Sequence, residues 1–347
     1  MTFDAEAHLR AVITHPYRSD VCFICAKELN ASNRADEHII PAWMQRQFNL
    51  WNQELVLLNR TSIQYRRLVI PCCIQCNTDR FAPLEGRIRT AVQNGINVAR
   101  RLSHFDIYKW LAKILLGLMY KELSLPFDRR NPGLGTILTD DFIRRYQILH
   151  HWLQLSAACG YCPDYCPGSV WVFQVQTPDD LECQFDLKDE IKYGVIAIRA
   201  GSIGFIADFL ENGVHAKLFQ SRTKCLSKIS LHPRQFDELV AKTVYEAKLL
   251  GQESQANLFT LDGTNLYTAI QWHSTVDGFP LDDWNLEEYV SILAHYTNLP
   301  LENVYRPPDG FCSWLRGPNG EFVFWPLGKP FPYSGEFWIP SYSKTHE

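Results

Sequence analysis

The chain predicts an α+β fold, and three observations carry that reading. Residues 1 to about 92 run in short, punctuated segments holding two Cys-x-x-Cys pairs. From about 96 to 158 the apolar residues recur at helical spacing, and from Ser169 onward short alternating or β-branched runs take over. The chain of 347 residues is long enough for more than one domain and buries a sizeable core. With 46% hydrophobic and 21% charged residues, its composition excludes wholesale disorder, collagen-like repeats and coiled coil. The boundaries read as 1–95, 96–160 and 161–347.

In chain order, the N-terminus lacks a cationic stretch followed by an apolar one, so no secretory signal is visible. Eleven cysteines without such a signal imply a reducing compartment, and a cytoplasmic location is expected. The segment from Phe105 to Leu125 is apolar all round a helix but carries Lys109, Lys113, Lys121 and Glu122. In a membrane core each charge would cost roughly 2.5–3.5 kcal/mol, so a core helix is expected and no membrane partner. Pro126 to Gly135 reads as a loop, and Asp140 to Cys159 as a second helix. Strands are expected at Val170–Gln176, Gly194–Arg199 and Gly204–Phe209, in a mainly antiparallel sheet. His232 to Gly251 reads as a helix opened by Pro233.

Charge is uneven. Residues 1–101 hold 13 Lys+Arg against 9 Asp+Glu, a balance of +4, and the remainder holds 21 against 29, a balance of -8. A modestly basic head on an acidic body is compatible with a polyanion-binding module, though four charges in a hundred residues is common on ordinary surfaces.

The chemistry concentrates between Cys22 and Glu85. Cys22/Cys25 and Cys73/Cys76 each can form a knuckle, with 47 residues between their inner members. Two knuckles complete a tetrahedral four-thiolate site, which predicts structural Zn²⁺. Cys72 is one sulfur too many and is assigned to packing, with a slipped register through Cys72 as the alternative. Between the knuckles stand Glu37 and His38, followed by Ile39, Ile40 and Pro41, and Asn77 follows the second knuckle.

This order, carried by Cys22, Cys25, Glu37, His38, Pro41, Cys73, Cys76 and Asn77, resembles the HNH endonuclease family over about residues 20–90. The resemblance implies a ββα-metal (treble-clef-like) fold, a hairpin packed on a helix. It implies a catalytic Mg²⁺ or Mn²⁺ between Glu37 and Asn77, with His38 deprotonating the attacking water. The residue types suit phosphodiester hydrolysis: His starts with a pKa near 7, and oxygen ligands suit a hard cation. Two departures stand out. Many members carry Asp where this chain has Glu37. The family's middle Asn or His falls near Leu68, which cannot play that part, while Asn52 and Asn59 are out of register.

Arg66, Arg67, Arg80, Arg87 and Arg89 would present guanidinium groups to phosphates if residues 77–93 form the closing helix. The alternative is a solvated helix face with Glu85 as a local partner. Three further features are read as structural. Cys159, Cys162 and Cys166 lack a second knuckle. His150 and His151 point to different faces of a helix, one buried and one exposed. Trp314, Phe322, Phe324, Trp325, Phe331 and Phe337 read as the packed end of a β domain, with a ligand pocket or base-stacking surface as the alternative. The expected function is a metal-dependent endonuclease acting on nucleic acid, DNA first, with residues 96–347 as the place for a regulatory partner or self-association. The alternatives are a non-catalytic zinc module and an RNA-cleaving enzyme.

Overall fold

The computed structural model describes residues 4, 6–7, 10, 18–159, 166–250, 255–259, 267–271, 282–307, 310–317, 319, 321–325 and 338–339. The chain is a mixed α+β protein and divides into two compact units. The first comprises Met1–Gln93, Arg101–Cys166 and Ser254–Trp272; the second comprises Asn94–Arg100, Pro167–Glu253 and His273–Glu347.

In the first unit, β1 (Arg34–His38) pairs antiparallel with β4 (Val69–Cys73), from Arg34 opposite Cys73 to His38 opposite Val69. Between them lie helix α1 (Ala42–Gln47), the ribbon of β2 (Glu54–Val56) with β3 (Ser62–Gln64), and a 3₁₀ turn at Tyr65–Arg67. After β4 a π-helical turn, Gln75–Phe81, runs directly into α2 (Ala82–Asn94). Helix α3 (His104–Leu123) opens on Ser103, whose hydroxyl accepts the Asp106 N–H at 3.0 Å. It is buried nearly all round, as its sequence predicts. Gly117 lets it approach the strands: a Cβ there would lie 3.2 Å from both Ile39 and Ile70. The run from Asp140 is two helices rather than one, a short one at Asp140–Arg144 capped by Thr139 and α4 (Gln147–Cys159). His150 and His151 are both buried, against the expectation of one exposed. The His150 Nε2 lies 2.5 Å from the Phe23 carbonyl. A hairpin of Gln255–Phe259 with Tyr267–Gln271 completes this unit.

The second unit is built on five strands in the order β6-β7-β8-β5-β9: β5 (Ser169–Val175), β6 (Phe185–Glu190), β7 (Val195–Ala200), β8 (Ile203–Asp208) and β9 (Ser230–Leu231). All neighbours are antiparallel except β5 with β9. Helix α5 (Pro233–Leu249) lies on this sheet, and α6 (Leu286–Thr297) packs on α5. A capping box between His232 and Gln235, with Pro233 in the first turn, starts α5 where the sequence places it. Trp171, Phe173, Ile206, Phe236, Val240 and Tyr289 share the core between sheet and helices. Strand β6 is half polar and escapes the hydrophobic pattern; its Lys188 bridges Asp186 and, at 2.7 Å, Asp237 of α5. Of the C-terminal aromatics, Trp314 is buried and Phe324 is 61% exposed, while Phe331 and Phe337 lie outside the described residues. Among the described residues no helix is long and apolar enough to cross a membrane.

Gly204 of β8 faces Phe236, and a Cβ at that position would sit 2.2 Å from the ring. Phe236 is itself 2% exposed and has nowhere to move. Gly204→Ala is expected to cost about 1–3 kcal/mol through overpacking. Urea denaturation of the variant checks it, and an unchanged midpoint would show that sheet and helix part without penalty.

Candidate functional site

The first knuckle is a tight turn. Cys22 N–H donates to the Lys27 carbonyl and Ala26 N–H to the Cys22 carbonyl, both at 2.9 Å, and Ala26 takes a left-handed φ of 57°. Phe23 N–H then donates to the Pro71 carbonyl at 3.0 Å, docking the turn on β4. The second knuckle is formed where β4 ends and the π-helical turn begins, and Cys76 N–H points at the Cys73 Sγ at 3.4 Å. Together they bring Cys22, Cys25, Cys73 and Cys76 into one cluster whose sulfurs all lie within 4.8 Å of one another.

That spacing fits the group the sequence implies. Zinc–thiolate bonds of about 2.3 Å in a tetrahedron place sulfurs about 3.8 Å apart. The Cys25 and Cys73 sulfurs are 3.7 Å apart. The four cysteines can therefore hold a metal such as zinc. The thiols already perturb one another: hydrogen bonding from Cys25 and its neighbours holds Cys22 far below the ordinary thiol range, and the same contact pushes Cys25 up to about 12. Cys72 is outside the set, buried with its Sγ 3.9 Å from that of Cys22. Of the third cysteine group, Cys162 and the side chain of Cys159 lie outside the described residues.

Glu37 and His38 close β1. The Glu37 side chain is buried, and its Oε1 is bound by the Nζ of Lys113 from α3. Lys113 is 1% exposed and also binds Glu85 of α2. Burial pushes the Glu37 carboxyl above its usual range. Burial opposes the charge of Lys113 too, but Glu85 and Glu37 outweigh it and the net shift is upward. His38 is half-buried, with its ring centroid 5.6 Å from that of Trp51. Burial, then the positive charge of Arg46, lowers its pKa, which favours the neutral imidazole.

Three residues here were not singled out as site residues from sequence. Gln45 of α1 is fully buried; its Nε2 donates to the Ile40 carbonyl at 2.7 Å and lies 3.4 Å from the His38 Nδ1. Arg46 exerts the largest charge effect on His38, lowering its pKa. Lys113 was visible as a charge in an apolar helix, and a buried lysine implies a carboxylate partner. Leu68, near the family's middle position, is core: it is 0% exposed, and its carbonyl accepts the Ile39 N–H at 2.9 Å. Asn59 donates instead to the Phe127 carbonyl at 2.9 Å. Asn77 stands in the π-helical turn, half-buried.

All five arginines are exposed. Arg66 donates to Gln64 at 3.1 Å, and Arg87 pairs with Asp106 at 3.0 Å rather than with Glu85. Arg89 shares an open cleft with Trp43, Arg46, Gln47, Val92 and Gln93.

Two outcomes are expected from this geometry. Cys76→Ser should abolish stoichiometric zinc in the purified protein and unfold the first unit, read by metal analysis and circular dichroism, because structural zinc supplies folding free energy. Lys113→Met should cost about 3–5 kcal/mol in chemical denaturation, since it leaves two carboxylates without their shared cation. A loss below about 1 kcal/mol would show that the site relaxes or admits water. Comparison of the chain with protein-family models, with curated proteins and with solved structures returns no match.

Proposed function

We propose that the first unit is a zinc-stapled, HNH-like nuclease head that hydrolyses phosphodiester bonds, with DNA as its first substrate. The observation that carries this reading is the join of two features: a four-cysteine cluster closes an antiparallel pair onto the helix that follows it, and a half-buried histidine ends the first strand of that pair. The order strand, strand, helix around the cluster is what a ββα-metal module requires.

In this reading His38 accepts a proton from the attacking water, for which a neutral imidazole is the competent form. Gln45 holds the backbone after His38 through the Ile40 carbonyl, the support the family draws from its middle residue. Mg²⁺ or Mn²⁺ held by Glu37 and Asn77 would supply charge neutralisation at the phosphate oxygens. The donor set suits it: both are oxygen ligands, and a carboxylate bound by Lys113 at Oε1 keeps further acceptor capacity. Arg89 and Arg46, in one cleft with Trp43, are placed to take backbone phosphates. Residues 96–347 serve regulation or recognition.

A second reading, a zinc module that binds nucleic acid or protein without cutting, is favoured by one observation: Lys113 already neutralises Glu37.

Plasmid nicking at low salt separates the two, with wild type and His38→Ala compared in Mg²⁺, Mn²⁺ and EDTA. The nuclease reading expects cleavage that EDTA abolishes and that the variant lowers by roughly 10²–10⁴-fold, with zinc content and fold unchanged. Cleavage of RNA but not plasmid would move the substrate class. Equal activity in both proteins would sink His38 as the base, and retardation of DNA with no cleavage of either nucleic acid would favour the binding module.

A further inference from the structure

A histidine that takes a proton from water needs its own proton on the other ring nitrogen, and a side chain of α1 touches the His38 ring. Gln45 is 0% exposed and is anchored by its backbone: its N–H donates to the Pro41 carbonyl at 3.1 Å, and its carbonyl accepts the Leu50 N–H at 2.8 Å. Its amide turns back toward the end of β1. There Nε2 donates to the Ile40 carbonyl at 2.7 Å and lies 3.4 Å from the His38 Nδ1. The same strand end is pinned from β4's side, where the Ile39 N–H donates to the Leu68 carbonyl at 2.9 Å. The Trp51 ring stands against the imidazole, 5.6 Å between centroids. Among the described residues no other hydrogen bond reaches either nitrogen of His38.

The chemistry of a primary amide decides what that contact means. Its nitrogen carries two hydrogens and offers no acceptor, so one hydrogen serves Ile40 and the other is left for His38. Ile40 also decides which end of the amide faces inward. Turned over, Gln45 would set its Oε1 against a carbonyl oxygen, two acceptors with no proton between them. The Oε1 stays buried without a donor, a cost that this orientation bears to keep both Nε2 contacts. A ring nitrogen that faces an N–H must offer its lone pair. In a neutral imidazole the one proton then sits on Nε2.

We infer that Gln45 is a positioning residue that holds His38 as the Nε2–H tautomer, so that Nδ1 is the nitrogen that takes the proton of the attacking water. The proton transfer rests on the nuclease reading, and the hold on the tautomer does not. In that transfer an O–H bond of the water breaks and an N–H bond forms at Nδ1. The electron pair stays on the oxygen that attacks phosphorus. The 3.4 Å contact is long and gives way to the water, while the shorter bond to Ile40 keeps the amide in place. Nε2 keeps its hydrogen throughout and acts as a donor, never as the base.

The test reads the ring directly, by nitrogen–proton correlation on the zinc-loaded full chain carrying ¹⁵N-histidine, at mildly alkaline pH where imidazole is neutral. The chain has 11 histidines, and the His38 signals are those lost in His38→Ala. Wild type should show the proton on Nε2 and a bare Nδ1. Gln45→Met, which offers no N–H, should admit the other tautomer. Gln45→Glu accepts where the amide donates and should make Nδ1–H the main form; if it fails to fold, Gln45→Met decides alone. Plasmid nicking on the same samples should show kcat lowered roughly 10–100-fold in the variants, with KM and zinc content unchanged. A proton on Nδ1 in wild type would overturn the inference, as would a tautomer that stays the same in the folded variants. Wild type that shows the expected ring signature but cleaves no nucleic acid would sink the nuclease reading and uphold the role of Gln45.

Discussion

The four-sulfur cluster is the constraint on which the first unit depends. Its central sheet is one antiparallel pair of five residues per strand, and a two-stranded ribbon is at best marginal by itself. Strand pairing of that length is prone to slip, and a slip of one residue exchanges the two faces. Cys73 is both a sulfur of the cluster and the residue paired with Arg34, while Phe23, inside the first knuckle, is bonded to Pro71 of the same strand. The cluster therefore pins the register at one end, and the register decides that Glu37 faces inward with His38 next to it at the strand's end.

That inward position creates an electrostatic problem, and Lys113 is its solution. A carboxylate buried at this depth is costly unless it is paired. Helix α3 delivers one ammonium to two carboxylates, Glu37 from β1 and Glu85 from α2, so three elements meet on one nitrogen. Two carboxylates thus share one cation, and the shared ammonium holds the three elements together. On His38 the members of the triad oppose one another, Glu85 raising its pKa and Lys113 lowering it, and burial and then Arg46 lead the net downward shift.

What could be read from sequence was what depends on local spacing. The cysteine knuckles, the helix over Phe105–Leu125, the capped start at His232 and the three apolar strands each declare themselves within a few residues. What escaped depends on distant partners. Strand β6 alternates poorly because Lys188 is buried against Asp237, 49 residues on. Lys113 looked like a charge to be weighed against a membrane, and its partners stand 76 and 28 residues away. Gln45 lies seven residues after His38, yet nothing in the spacing shows that its amide turns back to the Ile40 carbonyl. One of His150 and His151 is expected at the surface because adjacent helix positions point to different faces; here His150 through Leu153 are all buried, so both faces of α4 are covered.

The second unit matches the buried carboxylates of its main helix group by group. Helix α5 buries Asp237, Glu238 and Glu246, and each has its donors: Lys188 for the first, three groups of the closing segment for the second, Arg222 and His215 for the third. His215 extends the last of these inward, 2.9 Å from Asp208. Burial opposes its charge, but the bonds to Asp208 and Glu246 prevail and raise its pKa to about 9. Such a chain of satisfied groups fixes one packing of helix on sheet, because any other leaves a charge unpaired.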